Sequence, residues 1–185
     1  MTISGGREFP GGLAAAMAVP FAGEGGESGV DFEALGGFLP AAETAQWFRE
    51  WCGNEEQNGS EFLVFGADGS GGCAAVWLTR PGRPLADQPV VFLGSEGEAA
   101  VVARDLGDFL WLLADGFGPK EAAEHAAGRR RQARPHAELT LIAQEFAPGP
   151  RRPAAIVVEQ AAREFPDFED LVSAMSWTEA DRALG

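Results

Sequence analysis

Apolar and polar positions repeat with two different periods along this chain, and the switch between periods marks the elements. In AAETAQWFREWC (41–52), Ala41, Ala45, Phe48 and Cys52 share one helical face, with Trp47 and Trp51 one turn apart beside it. Pro40 before this stretch and Gly53-Asn54 after it are start and stop signals. Four β-rich apolar runs follow: FLVF (62–65), CAAVWLT (73–79), PVVFLG (89–94) and AAVVAR (99–104). DGSGG (68–72) joins the first two as an antiparallel hairpin, RPGRPLADQ is a loop of turn formers, and SEGE (95–98) turns the chain again. The third run is continuously apolar and predicts a buried strand.

The clearest helix comes next. Asp105 stands as its cap with Asp108 at the matching third position, and Leu106, Phe109, Leu110 and Leu113 fall at i, i+3, i+4 and i+7. Gly116 closes it. Pro119 opens a helix through KEAAEHAA, and ELTLIAQEF (138–146) fits either a strand or a short helix. After the linker APGPRRP, Ala154, Val158, Ala161, Ala162 and Phe165 line one amphipathic face, and Phe168, Leu171, Val172 and Met175 line the next. Ser176 and Glu179 form a capping pair for the last segment. Upstream, Asp31 is placed to cap a short helix carrying Phe32 and Leu35, ended by Gly36 and Gly37. Residues 1–30 have no dominant period, which predicts a loosely ordered arm with one short helical turn near 13–19. The expected architecture is α+β: a small, mostly antiparallel sheet flanked by helices. It forms one domain over 31–185, in which a helical C-terminal extension (119–185) packs on a core at 31–118.

Composition changes the picture mainly through charge. The 185 residues are 45% hydrophobic, enough for one domain with a sizeable core. Acids outnumber bases 28 to 14, a formal charge of −14. Such a field repels phosphate backbones and anionic lipid, so no nucleic acid or membrane partner is expected, and it attracts a basic protein. Lys120 is the sole lysine and tyrosine is absent, which together with abundant Ala and Gly reads as the codon bias of a GC-rich genome. GGLAAAMAVPFAG lacks a basic flank and contains Pro20, a poor match to a signal peptide. A cytoplasmic location is expected, with Cys52 and Cys73 as free, buried or half-buried thiols; a disulfide is the alternative.

Candidate chemistry is sparse. DGSGG is followed by a strand rather than a helix, and it lacks the lysine of a phosphate loop and the oxygen spacing of a calcium loop. It reads as a hairpin turn, with ligand contact at Asp68 as the alternative. Glu96 and Glu98 flank Gly97 and read as an exposed turn, then as an acidic contact surface, and only then as an acid–base pair. His125, His136, Cys52 and Cys73 lack any close-paired zinc spacing and are not expected to hold a metal. Six arginines against two glutamates over 128–152 suit a helix C-terminus, an exposed loop, or a contact with an acidic patch of the same chain or a second copy. Of five tryptophans, Trp77 is expected in the core. Trp111 lies off the main stripe of its helix; core packing is the first reading for it and for the others, and an exposed aromatic anchor for a partner is the alternative.

Taken in order, FEALGGFLP (32–40), FLVFGADGSGGCAAVWL (62–78) and PVVFLGSEGEAAVVARDLGDFLWLLADG (89–116) resemble the SMI1/KNR4 (SUKH) superfamily. The Leu35-Gly36…Leu39-Pro40 opening, the hairpin at 68–72, and the strand-turn at 90–97 followed by 106–113 match that family's order. The resemblance spans residues 31–118; the arm and the tail after 118 have no counterpart in it. It implies an α+β sheet with flanking helices, no cofactor and no catalytic residues. Bacterial members neutralise polymorphic toxins, and fungal members regulate cell-wall synthesis and signalling. The expectation is therefore a non-catalytic immunity protein, monomer or homodimer, that binds a basic cognate toxin domain through Asp68, Glu96 and Glu98, with Trp111 as anchor. A regulatory scaffold of the same fold is the alternative, and a hydrolase using Asp68, Glu96 and Glu98 a third class.

Overall fold

The computed structural model describes residues 8–21, 30–177, 181, 183 and 184. The fold is α+β, as the hydrophobic pattern predicts. Strands β1 (Glu33–Ala34), β2 (Phe62–Ala67), β3 (Cys73–Trp77), β4 (Val90–Leu93) and β5 (Ala99–Ala103) form one antiparallel sheet in sequential order. Its helices are α1 (Gly11–Met17), α2 (Ala41–Cys52), α3 (Leu106–Ala114), α4 (Pro119–Ala126), α5 (Ala137–Phe146), α6 (Ala154–Glu164) and α7 (Phe168–Met175).

Strand alternation divides the core in two. Val76, Val90, Phe92 and Val102 face one layer, with Leu13 of α1, Phe109 and Leu110 of α3, and Leu139 and Ala143 of α5. Val64, Ala75, Trp77, Val91 and Leu93 face the other, with Phe48 of α2 and with Phe168 and Val172 of α7. Both faces are covered, so β3 and β4 are apolar at every position. Helix α6 lies against β5 and gives Val157 and Val158 to the first layer and Ala161 to the second. It thereby covers a strand edge that would otherwise offer unpaired backbone groups.

Three sequence expectations change, and one open alternative is decided. Residues 33–34 are a strand: Glu33 and Ala34 pair with Ala67 and Gly66, and Phe32 lies where a Gly66 side chain would be. Asp31 caps no such helix; its carboxylate bonds the Gly69 N–H in the β2–β3 turn and Lys120 instead. Residues 138–146 resolve as helix α5, whose first turn is capped by His136 Nδ1, accepting from the Leu139 N–H at 3.3 Å. The buried stripe of α6 is Ala154, Val157, Val158 and Ala161, which leaves Ala162 exposed.

The described part of the expected arm is structural rather than loose. Leu13 and Ala16 are completely buried, with α1 packed against α3 and α5. Small residues carry no visible stripe, yet they permit this approach: a side chain at Gly12 would collide with Phe146 and Leu110. The pairing of Ser176 with Glu179 lies outside the described residues. Among the described residues, no helix is long and apolar enough to cross a membrane.

Candidate functional site

The two glycine-containing turns lie at the same end of the sheet, because the antiparallel order sends β2 and β4 in one direction. In the first, Asp68 Oδ1 accepts from the Ser70 and Gly72 N–H groups (2.8 and 2.9 Å) and from the Ser70 hydroxyl (2.8 Å). This use of one carboxylate oxygen closes the turn, and Gly71 takes φ +95° within it. In the second, Gly97 takes φ +92°, the Gly94 N–H donates to the Glu98 carbonyl (2.7 Å), and Glu98 Oε2 accepts from the Glu96 N–H (3.1 Å). Trp51 Nε1 donates to the Gly94 carbonyl (2.6 Å) and ties this turn to α2.

Helix α4 stands beside both turns. Lys120 Nζ lies 2.7 Å from Asp31 Oδ2 and 3.9 Å from Asp68 Oδ2. Asp31 Oδ1 accepts from the Gly69 N–H (2.8 Å), and the Asp31 N–H donates to Glu121 Oε1 (2.8 Å). One short network thus joins the chain entering β1, the first turn of α4 and the β2–β3 hairpin. The hydrogen bond from Lys120, followed by that from Gly69, holds the Asp31 carboxyl below its usual range. The same bond to Asp31 raises the Lys120 ammonium above its own range, which favours its charged form. Burial pushes the Glu121 carboxyl up.

Between the turns and α4 opens a cleft of about 440 Å³. Phe92, Ala99, Ala100 and Ala123 contribute apolar surface to it. Its charged groups are Asp68, Glu98, Glu124 and Glu169 against Lys120 and Arg129. Glu169 comes from the first turn of α7, where a carboxylate also complements the helix dipole.

Two of the four residues singled out from sequence therefore meet in one cleft. Asp68 does so in a different form from that expected: its side chain is only 2% exposed, because it folds back into its own turn. Glu98 lines the same cleft, whereas Glu96 is exposed on the adjacent turn, outside the lining. Trp111 packs in the core, its first reading, and not at the surface as an exposed anchor. It is 4% exposed, because α3 is covered by α5 and α6 as well as by the sheet, so its off-stripe position is also interior.

Lys120, Asp31 and Glu169 were not singled out for this site. The signal was present only in that Lys120 is the sole lysine. The arginine block bonds within its own chain: Arg129 reaches Glu124 (3.5 Å), and the Arg134 N–H donates to the Asp115 carbonyl (2.8 Å) at the end of α3. Cys52 and Cys73 are free and buried. His136 caps α5 and His125 packs edge-on against Phe117, so neither converges on the thiols. Among the described residues, no group of three or more His, Cys, Asp or Glu is arranged to hold a metal ion. Comparison with known proteins gave no matching family model, no matching curated protein and no matching solved structure.

Proposed function

We propose that this chain is a non-catalytic protein-binding module: an immunity protein that neutralises a basic toxin domain by covering its working surface. The distribution of charge carries this reading. Among the described residues, at least nine basic side chains reach a carboxylate of the same chain, several in partly buried bridges. Arg151 and Arg152 of the linker before α6 bond Asp115 and Asp108 of α3, and Arg80 bonds Glu164. Most of the cations are thus engaged by acids of the same chain, and acids remain in excess, at a formal charge of −14. Glu98 and Glu169 line the cleft that the two turns frame, and Glu96 is exposed on the turn beside it.

An acidic rim of this kind accelerates encounter with a basic protein, while a few desolvated contacts fix the affinity. A tight complex would bury about 1,200–2,000 Å². The order of motifs shared with SMI1/KNR4 proteins supports the same reading.

The test is survival of cells expressing a toxin encoded beside this chain, with and without it. Rescue is expected, and it should weaken when Glu96, Glu98 and Glu169 are all changed to lysine. Failure to rescue, joined with stable self-association in light scattering, would replace the proposal with a regulatory scaffold. Undiminished rescue by the triple variant would remove the electrostatic part of it.

A further inference from the structure

We infer that the cleft between the two hairpin turns is a receptor for one arginine side chain of a partner protein. The identification of the source as a protein rests on the function proposed above; the chemistry of the site does not. Four carboxylates face two cations across the lining, and both cations already have partners. Lys120 is bonded to Asp31 at 2.7 Å, and Arg129 lies 3.5 Å from Glu124. The surplus is therefore negative, and it sits at Asp68, Glu98 and Glu169.

Asp68 supplies an independent sign of a missing ligand. Its side chain is 98% buried, and Oδ1 is fully used by the turn, yet Oδ2 has no hydrogen-bond partner. Lys120 Nζ approaches it only to 3.9 Å, inside ion-pair range and outside hydrogen-bond range. A buried carboxylate oxygen without a donor is costly, and a donor entering beside Lys120 would relieve that cost.

Arginine fits better than lysine on two counts. Its planar fork bonds carboxylates on two edges at once, matching acids that come from different walls. Its weakly hydrated, flat head and three-methylene stem also suit a passage walled by Phe92, Ala99, Ala100 and Ala123.

The experiment titrates the full chain with N-acetyl-arginine methylamide, followed by amide NMR, with the lysine and citrulline analogues as controls. Saturable shifts are expected in both turns, at 69–72 and 94–98. The arginine probe should bind in the millimolar range, the lysine probe several-fold more weakly, and the neutral citrulline probe not at all. Glu98→Gln with Glu169→Gln, both exposed positions, should weaken binding about tenfold. Asp68→Asn keeps the oxygen that closes the turn and should weaken it as well.

No saturable shift in either turn, equal binding of citrulline or lysine, or unchanged binding in the double variant would overturn the inference. The two proposals fail separately. A toxin neutralised equally well by the double variant, with no binding of the arginine probe, removes the receptor and leaves the immunity function. A probe that binds in a chain that rescues no cell does the reverse.

Discussion

Cys73 opens β3 beneath the Asp68 turn, and burial, reinforced by the Asp68 carboxylate, pushes its thiol up to about 12. Reactivity belongs to the thiolate, so at neutral pH this sulfur is inert. Cys52 is buried at the end of α2, its Sγ beside the Arg49 and Asn54 carbonyls. Iodoacetamide should therefore leave both cysteines unmodified in native buffer and modify both in denaturant, which intact mass reads directly. Rapid native labelling at Cys73 would contradict its buried, protonated state. At this scale the sequence is legible where a residue acts on its neighbours and illegible where it acts across the fold. Asp68 is visible as a turn former because it bonds residues 70 and 72. Its relation to Lys120 is invisible, because the network that joins them runs through Asp31, which is 89 positions from Lys120.

Helix α6 shows the same division between elements. Its N-cap position is Pro153, which has no side-chain acceptor to offer. The acceptor comes instead from the end of α3: Asp115 Oδ2 takes the Ala154 N–H at 2.8 Å across 39 positions, and Oδ1 takes Arg151. Asp115→Ala would leave a buried N–H unpaired and Arg151 without its partner, a loss of about 1–3 kcal/mol. Urea unfolding should show a lower midpoint with an unchanged slope, and Asp115→Asn, which keeps one acceptor, should fall between. A wild-type midpoint for Asp115→Ala would mean that α6 is anchored elsewhere. Elements with local signals are legible by contrast: α3 carries its own cap, the Asp108 N–H donating to Asp105 Oδ1 at 2.7 Å, and α2 has its start and stop residues. Strand β1 and helix α1 are not, because a two-residue strand has no period and a Gly–Ala helix has no stripe. Both are fixed by what they touch, Gly66 and Ala67 in one case and α3 with α5 in the other.

For the whole molecule, the surplus of acids and the buried carboxyl of Glu121 act on stability in the same direction. Lowering the pH toward the carboxylate range relaxes the mutual repulsion behind a charge of −14. Glu121 holds its proton more tightly folded than unfolded, because it is 3% exposed in the first turn of α4. Its contribution is complete below the ordinary glutamate range and is lost as pH rises through the raised value. Asp31 runs the other way. Lys120 and the Gly69 N–H favour its charged form, so its contribution is present above the ordinary aspartate range and disappears as pH falls through the depressed value. Stability should therefore climb as pH drops from 8 to about 5 and turn downward below the ordinary aspartate range, as the Asp31 carboxylate takes up its proton and loses Lys120. Glu121→Gln keeps an oxygen for the Asp31 N–H and removes the titration. The variant should melt above wild type at pH 8, and the gap should narrow as pH falls, closing only below the ordinary glutamate range, where Glu121 is neutral in both the folded and the unfolded chain. A wild-type melting temperature that rises steadily with pH, or a glutamine variant that is weaker at pH 8, would place the charge of Glu121 among the forces that hold α4 to β1.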